Sequence, residues 1–360
     1  MSSIFTLEKL YLAYNECKNG KKNTSNALKF EMHRERNLIQ LLNDLKTRQY
    51  KISRHIYFIA TKPTPREIFA ADFRDRVVHH LLYNEIYSIF DADFIADSYA
   101  NRIGKGTHSA VKKLRDNMKQ VKQESGGGWA LKLDMRSFFR SINKYILYNL
   151  LEKKIAGNSE ENSSEWVYEI LWLIKIILFH NPTKNFIYRG ETILQNLIPK
   201  HKSLFYSGDR GLPIGNLTSQ FFANIYLNEL DHFIVKKLGV KYYVRYVDDL
   251  VIVDALKHKL KTLIPIIDRF LQVNLELQLH PGKIRLQEMR KGVDFLGYFI
   301  KPSHILVRQK VVKRFKDRLR RSLDSDGFLS TICIPMIKSY LGHLGHASSF
   351  RLQRDLCGDM

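Results

Sequence analysis

"YVRYVDDLVIV", residues 243–253, sets two adjacent aspartates, Asp248 and Asp249, between two runs of β-forming residues. The flanks are rich in Tyr and Val, which favour a pleated, half-buried surface. The stretch therefore reads as two strands of a hairpin, with Asp248-Asp249 as its two-residue loop. Asn-Gly or Asp-Gly would fill that loop comfortably, because positive φ is needed there. Two carboxylates instead add backbone strain and mutual repulsion. A chain that keeps such a pair should place positive charge beside it.

The rest of the chain sharpens the point. It has 360 residues, with 58 Lys plus Arg against 36 Asp plus Glu and a formal net charge of +22. The length allows two or three domains, and 44% hydrophobic residues supply a real core. An excess of cations this large points to a polyanionic partner, because phosphates release condensed counterions when lysine and arginine neutralise them. A membrane is not expected: the best apolar run, "ILWLIKIILF" (170–179), is short and carries Lys175. Three scattered cysteines, Cys17, Cys333 and Cys357, make neither a disulfide framework nor a zinc site, and the N-terminus has no signal-peptide pattern. A reducing, cytoplasmic setting follows.

Residues 5–50 read as two basic helical segments broken at "KNGKKN" (18–23). Within "REIFAADFRDRVVHHLLYNEIYSIF" (66–90), Val77, Val78, Leu81, Leu82, Ile86 and Ile89 form a helical stripe. "SGGG" (125–128) is a turn. In "WALKLDMRSFF" (129–139), Leu131 and Leu133 share one strand face and Lys132 and Asp134 the other. A helical stripe then runs from Phe138 through Ile142, Ile146 and Leu150, which puts Asp134 at a strand end. "IAGNSEENSSE" (155–165) is a polar loop or insertion. After "GLPIGN" (211–216), Phe222, Tyr226, Leu230 and Phe233 mark another helix.

Asp134, Asp248 and Asp249 thus offer three carboxylates at strand ends, a hard oxygen set suited to Mg²⁺. Two such ions about 3.5–4 Å apart can activate a 3′-oxygen and stabilise a departing pyrophosphate. Phosphoryl transfer asks mainly for positioning and charge neutralisation. Taken alone, the Asp-Asp pair is equally well an acidic turn facing water.

The surrounding motifs carry a resemblance. "YVDD" after a β-run resembles the active-site hairpin of reverse transcriptases, and "LKLDMRSFF" their first carboxylate motif. "GLPIGNLTSQFFANIYL" is similar to the motif between them, and "HPGKIRL" and "VDFLGYFI" to the two that follow. "PREIFAADFRDRVVHHLL" and "SYANRIGKGTH" resemble the fingers blocks of bacterial members. The order is kept over roughly residues 55–350. The resemblance implies an α+β right-hand polymerase with an antiparallel palm sheet and helical fingers and thumb. It divides the chain into a basic helical extension (1–55), fingers (56–128 and 150–205), palm (129–149 and 206–300) and thumb (301–360).

Within that family the chain is most like the reverse transcriptases of diversity-generating retroelements. Most members show Gln-Gly and Ser-Pro where this sequence has Ile214-Gly215 and Ser219-Gln220. That group copies a template-repeat RNA with frequent errors opposite adenine, for mutagenic retrohoming, and works with a small, basic, oligomeric accessory protein. Ile214 lacks the side-chain hydrogen bonds that glutamine could make near the nascent base pair. The alternatives are a retron, phage-defence or group II intron enzyme, and a non-catalytic RNA-binding relic.

The resemblance also implies roles. Asp134 and Asp248 bind two Mg²⁺ ions, with Asp249 as a further carboxylate and the Met135 carbonyl completing one shell. Phe139 sits under the incoming sugar and rejects a 2′-hydroxyl; by pattern alone it reads as core. Lys62 and Arg66 grip the triphosphate of the deoxynucleotide, and Gly215 and Gln220 approach the nucleotide. Lys283 stands near the leaving pyrophosphate. Arg102 and Lys105 in the fingers, and Lys310, Arg314 and Arg318 in the thumb, face the template RNA and the RNA–DNA hybrid. The segment "KPSHILVRQKVVKRFKDRLRRSL" (301–323) interleaves these cations with Val311, Val312, Phe315, Leu319 and Leu323. His79 and His80 read as structural. His343 and His346 suggest a metal pair, but the sequence shows no third ligand beside them, so packing or RNA contact is the reading.

Overall fold

The computed structural model describes residues 3–19, 24–158, 163–321, 334–350, 352 and 354. The chain opens with α1 (Leu7–Lys18), α2 (Ser25–Met32) and α3 (Arg34–Lys46), followed by a hairpin of β1 (His55–Ala60) and β2 (Arg66–Ala70). Next come α4 (Phe73–Asp91), α5 (Thr107–Ser125), β3 (Trp129–Leu133), α6 (Phe138–Ser141), α7 (Lys144–Ala156), α8 (Ser164–Phe179) and β4 (Phe186–Tyr188). α9 (Leu217–His232) precedes β5 (Tyr243–Tyr246), β6 (Asp249–Asp254), α10 (Lys257–Leu275) and β7 (Arg285–Glu288). β8 (Val293–Phe295), β9 (Tyr298–Ile300), β10 (Ile305–Val307), α11 (Gln309–Arg320) and α12 (Ile334–Gly345) complete the order.

These elements gather into two compact units whose segments alternate along the chain. The first comprises Met1–Ile95, Arg136–His232 and Arg269–Gln278. In it α1 packs on α4, α4 on α9, and α7 on both α8 and α9. A three-stranded sheet of order β2-β1-β4 pairs β1 antiparallel with β2 and parallel with β4. Its face carries an aromatic cluster of Tyr57, Phe69, Phe186 and Phe205, with Tyr57 and Phe69 stacked at 4.7 Å.

The second unit comprises Ala96–Met135, Phe233–Asp268 and Leu279–Met360. Its four-stranded antiparallel sheet has the order β5-β6-β3-β7. α5 lies on β5 and β6 and buries Val111, Leu114 and Met118 against Val244, Val251 and Val253. A smaller antiparallel sheet, β10-β9-β8, adds Phe295 and Tyr298 to the same core. α11 and α12 meet through Phe315, Leu344 and Tyr340, with Phe315 and Tyr340 stacked at 4.5 Å.

Several sequence expectations need correction. The second N-terminal segment is two helices, because the chain breaks at His33. The single helix expected from Phe138 is also two. Asn143 stops the first and caps the second, its Oδ1 accepting from the backbone N–H groups of Tyr145 and Ile146. The buried stripe of α7 is then Leu147, Leu151 and Ile155 rather than Ile146 and Leu150. α5 was not anticipated at all. In α9 the expected Phe222, Tyr226 and Leu230 are buried, and the α-helix ends before Phe233, which opens a π-turn (Phe233–Lys237). In α11 Phe315 is buried, and Leu323 lies outside the described residues.

Candidate active site

The pairing of three strands of the second unit sets the acidic cluster. β3 and β6 run antiparallel with Leu133 opposite Leu250. Asp134, one step beyond the first, and Asp249, one step before the second, therefore face each other at the same end of the sheet. β5 and β6 pair down to Tyr246 opposite Asp249. The hairpin loop is thus Val247-Asp248, not Asp248-Asp249; Asp249 is already the first residue of β6. The positive φ that a two-residue loop demands falls on Val247, at 55°. A β-branched residue there is strained.

Two lysines answer the negative charge. Lys283, on the turn Pro281–Lys283, donates from Nζ to both carboxylate oxygens of Asp134, each at 2.8 Å. That turn is tied to the strand end, since the His280 N–H donates to the Asp134 carbonyl at 2.8 Å and Leu279 bridges Met135. Lys132 lies two residues before Asp134, on the same strand face, and its Nζ is 3.2 Å from Asp249 Oδ1. Among the described residues no lysine is paired with Asp248 in the same way. Burial first, then the charges of Asp134 and Asp249, push its carboxyl up to about 6, against a smaller opposing pull from Lys283. Beside the cluster opens a cleft of about 410 Å³, lined among others by Lys132, Asp134, Asp249, Lys283 and Arg285.

The donor set fits a hard divalent cation: oxygen ligands only, with an acid whose ionisation is opposed by its neighbours and would be eased by added positive charge. As the side chains stand, no trio of acids or imidazoles among the described residues closes on one point. Asp134 is turned to Lys283, whose ammonium holds the place of positive charge.

Sequence reading passed over the residue that braces this loop. Arg245 is 0% exposed, although it is a cation in a strand. It donates from Nη1 to the Val247 carbonyl at 3.1 Å and from Nη2 to Ser98 Oγ at 3.0 Å. Its backbone N–H donates to Asp97 and its carbonyl accepts from Tyr99, so the segment 97–99 runs alongside β5. The one signal in the sequence was a charge inside the run "YVRYV".

The remaining site residues distribute as follows. Lys62, Arg66, Phe139, Ile214, Gly215 and Gln220 belong to the first unit. Lys62 is exposed before a cis Lys62-Pro63 bond, and Arg66 is the exposed first residue of β2. Phe139 is half-buried with its ring 5.3 Å from that of Phe138, and its carbonyl accepts from the Leu212 N–H. The Ile214 carbonyl accepts from the Phe69 N–H at 2.9 Å, and half-buried Gln220 lies in the first turn of α9. In the second unit, Arg102 Nη1 donates to the Ser98 carbonyl and Lys105 Nζ to the Ala96 carbonyl. Lys310 and Arg318 are exposed and Arg314 half-buried along α11. His79 is buried against the Thr218 hydroxyl, and His80 lies 3.8 Å from Glu16, as structural residues would.

Gly215 has a reason within the fold. Its φ is +122°, and a Cβ there would stand 2.9 Å from Ile68 Cγ2 and 3.4 Å from the Phe69 carbonyl. Gly215→Ala is therefore expected to cost about 1–3 kcal/mol in backbone strain before any repacking of β2. Denaturant titration of the two proteins measures it; equal midpoints would count against the strain.

Comparison with known proteins decides what carries this arrangement. A profile of the family described as reverse transcriptase (RNA-dependent DNA polymerase) matches residues 61–300. The chain belongs to that family. The α+β right-hand polymerase fold expected of a reverse transcriptase is the one observed, with the antiparallel sheet β5-β6-β3-β7 in the place of its palm. The chain is 24% identical to the COX1/OXI3 intron 2 protein of Saccharomyces cerevisiae, over 81% of its own length and 38% of the yeast protein's. It is 22% identical to Protein YkfC of Escherichia coli, over 72% of its length and 67% of the other's. It is 24% identical to Nuclear intron maturase 1, mitochondrial, of Arabidopsis thaliana, over 49% and 27%. It thus spans well under half the length of the two intron-related proteins. Telomerase from Candida albicans, solved with a fragment of telomeric RNA, superposes with a TM-score of 0.47 at 12% identity, over 78% of this chain and 52% of that one. No described helix is long and apolar enough to cross a membrane.

Proposed function

We propose that the chain is an RNA-directed DNA polymerase, and specifically that it makes error-prone cDNA from the template-repeat RNA of a diversity-generating retroelement. The observation that carries the polymerase reading is the register of the sheet: β3 against β6 puts Asp134 across from Asp249, beside an Asp248 whose charge both oppose. Asp134, Asp248 and Asp249 would hold two Mg²⁺ ions, with the Met135 carbonyl as a further oxygen. Bound there, the ions would activate the primer's 3′-hydroxyl and neutralise the leaving pyrophosphate. Lys283 orients Asp134 by donating to both of its carboxylate oxygens, and is placed to meet the pyrophosphate's charge. Arg245 holds the loop that presents Asp248.

In this reading residues 1–55 are an extension, 56–128 and 150–205 the fingers, 129–149 and 206–300 the palm, and 301–360 the thumb. Lys62 and Arg66 take the triphosphate, and Phe139, Ile214, Gly215 and Gln220 the nucleotide. Arg102, Lys105, Lys310, Arg314 and Arg318 take the hybrid's phosphates by charge and shape. A small basic oligomeric protein would select the template, in the cytoplasm. The retroelement assignment rests on Ile214-Gly215 with Ser219-Gln220. A second reading, an intron-type reverse transcriptase, is favoured by the intron-related names of two relatives.

Primed RNA, deoxynucleotides, Mg²⁺ and purified protein test both, by sequencing the DNA made. Extension with substitutions concentrated opposite adenine is expected. Extension with equal fidelity at all four template bases would transfer the case to the intron-type reading, and no extension would remove the enzyme.

A further inference from the structure

Lys132 stands where a cation is disfavoured. In the register of β3 against β7 it is directly opposite Arg285, and both line the cleft beside the carboxylates. Like charges opposed across a sheet are destabilising. Asp249 Oδ1, 3.2 Å from the Lys132 ammonium, offsets part of that cost. An apolar residue at 132 would avoid it altogether, so the lysine asks for a second reason.

That reason is a contact outside its own sheet. Lys132 Nζ also donates to the Asp294 carbonyl at 3.1 Å and lies 5.9 Å from the centre of the Phe295 ring. Asp294 and Phe295 belong to β8, in the separate sheet β10-β9-β8. An ammonium has three donors and no acceptor, so it serves both oxygens at once. One side chain thus joins the main chain of the smaller sheet to a carboxylate of the larger. The joined segment is itself anchored. The Asp294 carboxylate pairs with Arg308 through Oδ2, and the Arg308 N–H donates to the Gly297 carbonyl at 3.1 Å. Arg308 directly precedes α11. A run of polar contacts therefore leads from Asp249 through Lys132 and β8 to the start of α11.

We infer that Lys132 is a positioning residue: it holds the β8–β9 hairpin in place against Asp249, and so sets the primer's 3′ end against the carboxylates. The inference rests on the polymerase reading, in which the 3′ end enters the cleft that Asp134 and Asp249 share with Val293, Asp294 and Phe299 of this hairpin. Misplacing reacting atoms by about 1 Å costs about a hundredfold in rate. The link also has an electrostatic consequence. A positive charge 3.2 Å from a ligand oxygen opposes cation binding there. Lys132 therefore weakens metal binding while it improves placement, and substitution separates the two.

The full chain is compared with Lys132→Met and Lys132→Arg in two measurements: Mg²⁺ binding by calorimetry, and extension of primed RNA at saturating Mg²⁺. Lys132→Met keeps most of the side chain's length but loses its charge and its donors. It should bind Mg²⁺ about 3- to 10-fold more tightly and extend at least about tenfold more slowly. The loss should fall on kcat, with KM for the deoxynucleotide nearly unchanged. Lys132→Arg keeps the charge but not the ammonium's geometry. Its Mg²⁺ affinity should stay within about twofold of wild type while its kcat remains well below. A residue that only packs would leave Mg²⁺ affinity unmoved, and one that only neutralises Asp249 would be fully replaced by arginine. Thermal midpoints in chelator establish that both variants are folded at the assay temperature. Unchanged Mg²⁺ affinity in Lys132→Met, or wild-type kcat in either variant, would overturn the inference and leave the polymerase reading standing. A wild type that extends no primer would remove that reading, and the inference with it.

Discussion

Asp248→Asn is expected to abolish RNA-templated extension, by on the order of 10³-fold or more, while the fold survives. The amide keeps the carboxylate's shape and one oxygen but removes the charge on which cation binding depends. Survival follows from the same electrostatics. In the folded chain burial, then Asp134 and Asp249, raise the Asp248 carboxyl to about 6, against 3.8 for an unperturbed aspartate. Between those values the folded state binds more protons than the unfolded state, so stability falls as pH rises through about 4 to 6. The asparagine variant lacks that fall. Thermal midpoints in chelator should therefore decline over this window for the wild type and decline less for the variant. Mg²⁺ should restore the wild type above pH 6 and leave the variant nearly unmoved. Extension within tenfold of wild type, or identical pH profiles, would refute the assignment of Asp248.

Much of this site could be read in the chain because its cues are local. Asp134 follows an alternating strand, and Lys283 follows a Pro-Gly turn; each is placed by residues within a few positions of it. The hairpin was legible too, but its loop was misplaced by one residue. Alternation shows where strands run, not where their pairing stops, and only the partner of Tyr246 reveals that Asp249 is already in β6. α5 was missed although Ala110, Val111, Leu114, Met118 and Val121 mark a helical face, because lysine and glutamine dominate the string between them. Ser98 and Arg245 could not be joined from sequence at all. Nothing between positions 98 and 245 announces their contact, and a buried arginine looks like any other cation until its neighbours are seen.

Arg245→Lys should damage both stability and synthesis, with the larger loss in synthesis. The guanidinium forks between the Val247 carbonyl and Ser98 Oγ. An ammonium on a thinner stem cannot reach both with that geometry. Leaving one of these buried acceptors unpaired costs about 1–3 kcal/mol, and misplacing a buried charge adds to it, so a loss of about 2–4 kcal/mol is expected. Synthesis suffers further because the Val247 carbonyl is what Arg245 holds, and Val247 at φ 55° persists only while its surroundings impose it. Once released, the loop relaxes and Asp248 leaves its position beside Asp134 and Asp249. Adding Val247→Gly to Arg245→Lys separates the two effects. Glycine removes the strain at positive φ, so stability should partly return, while synthesis should not, since nothing then holds the loop in the strained form. Denaturant midpoints and extension rates of the single and double variants measure this directly. An Arg245→Lys protein with wild-type midpoint and rate would mean that Arg245 is packing alone and that the loop holds Asp248 without it.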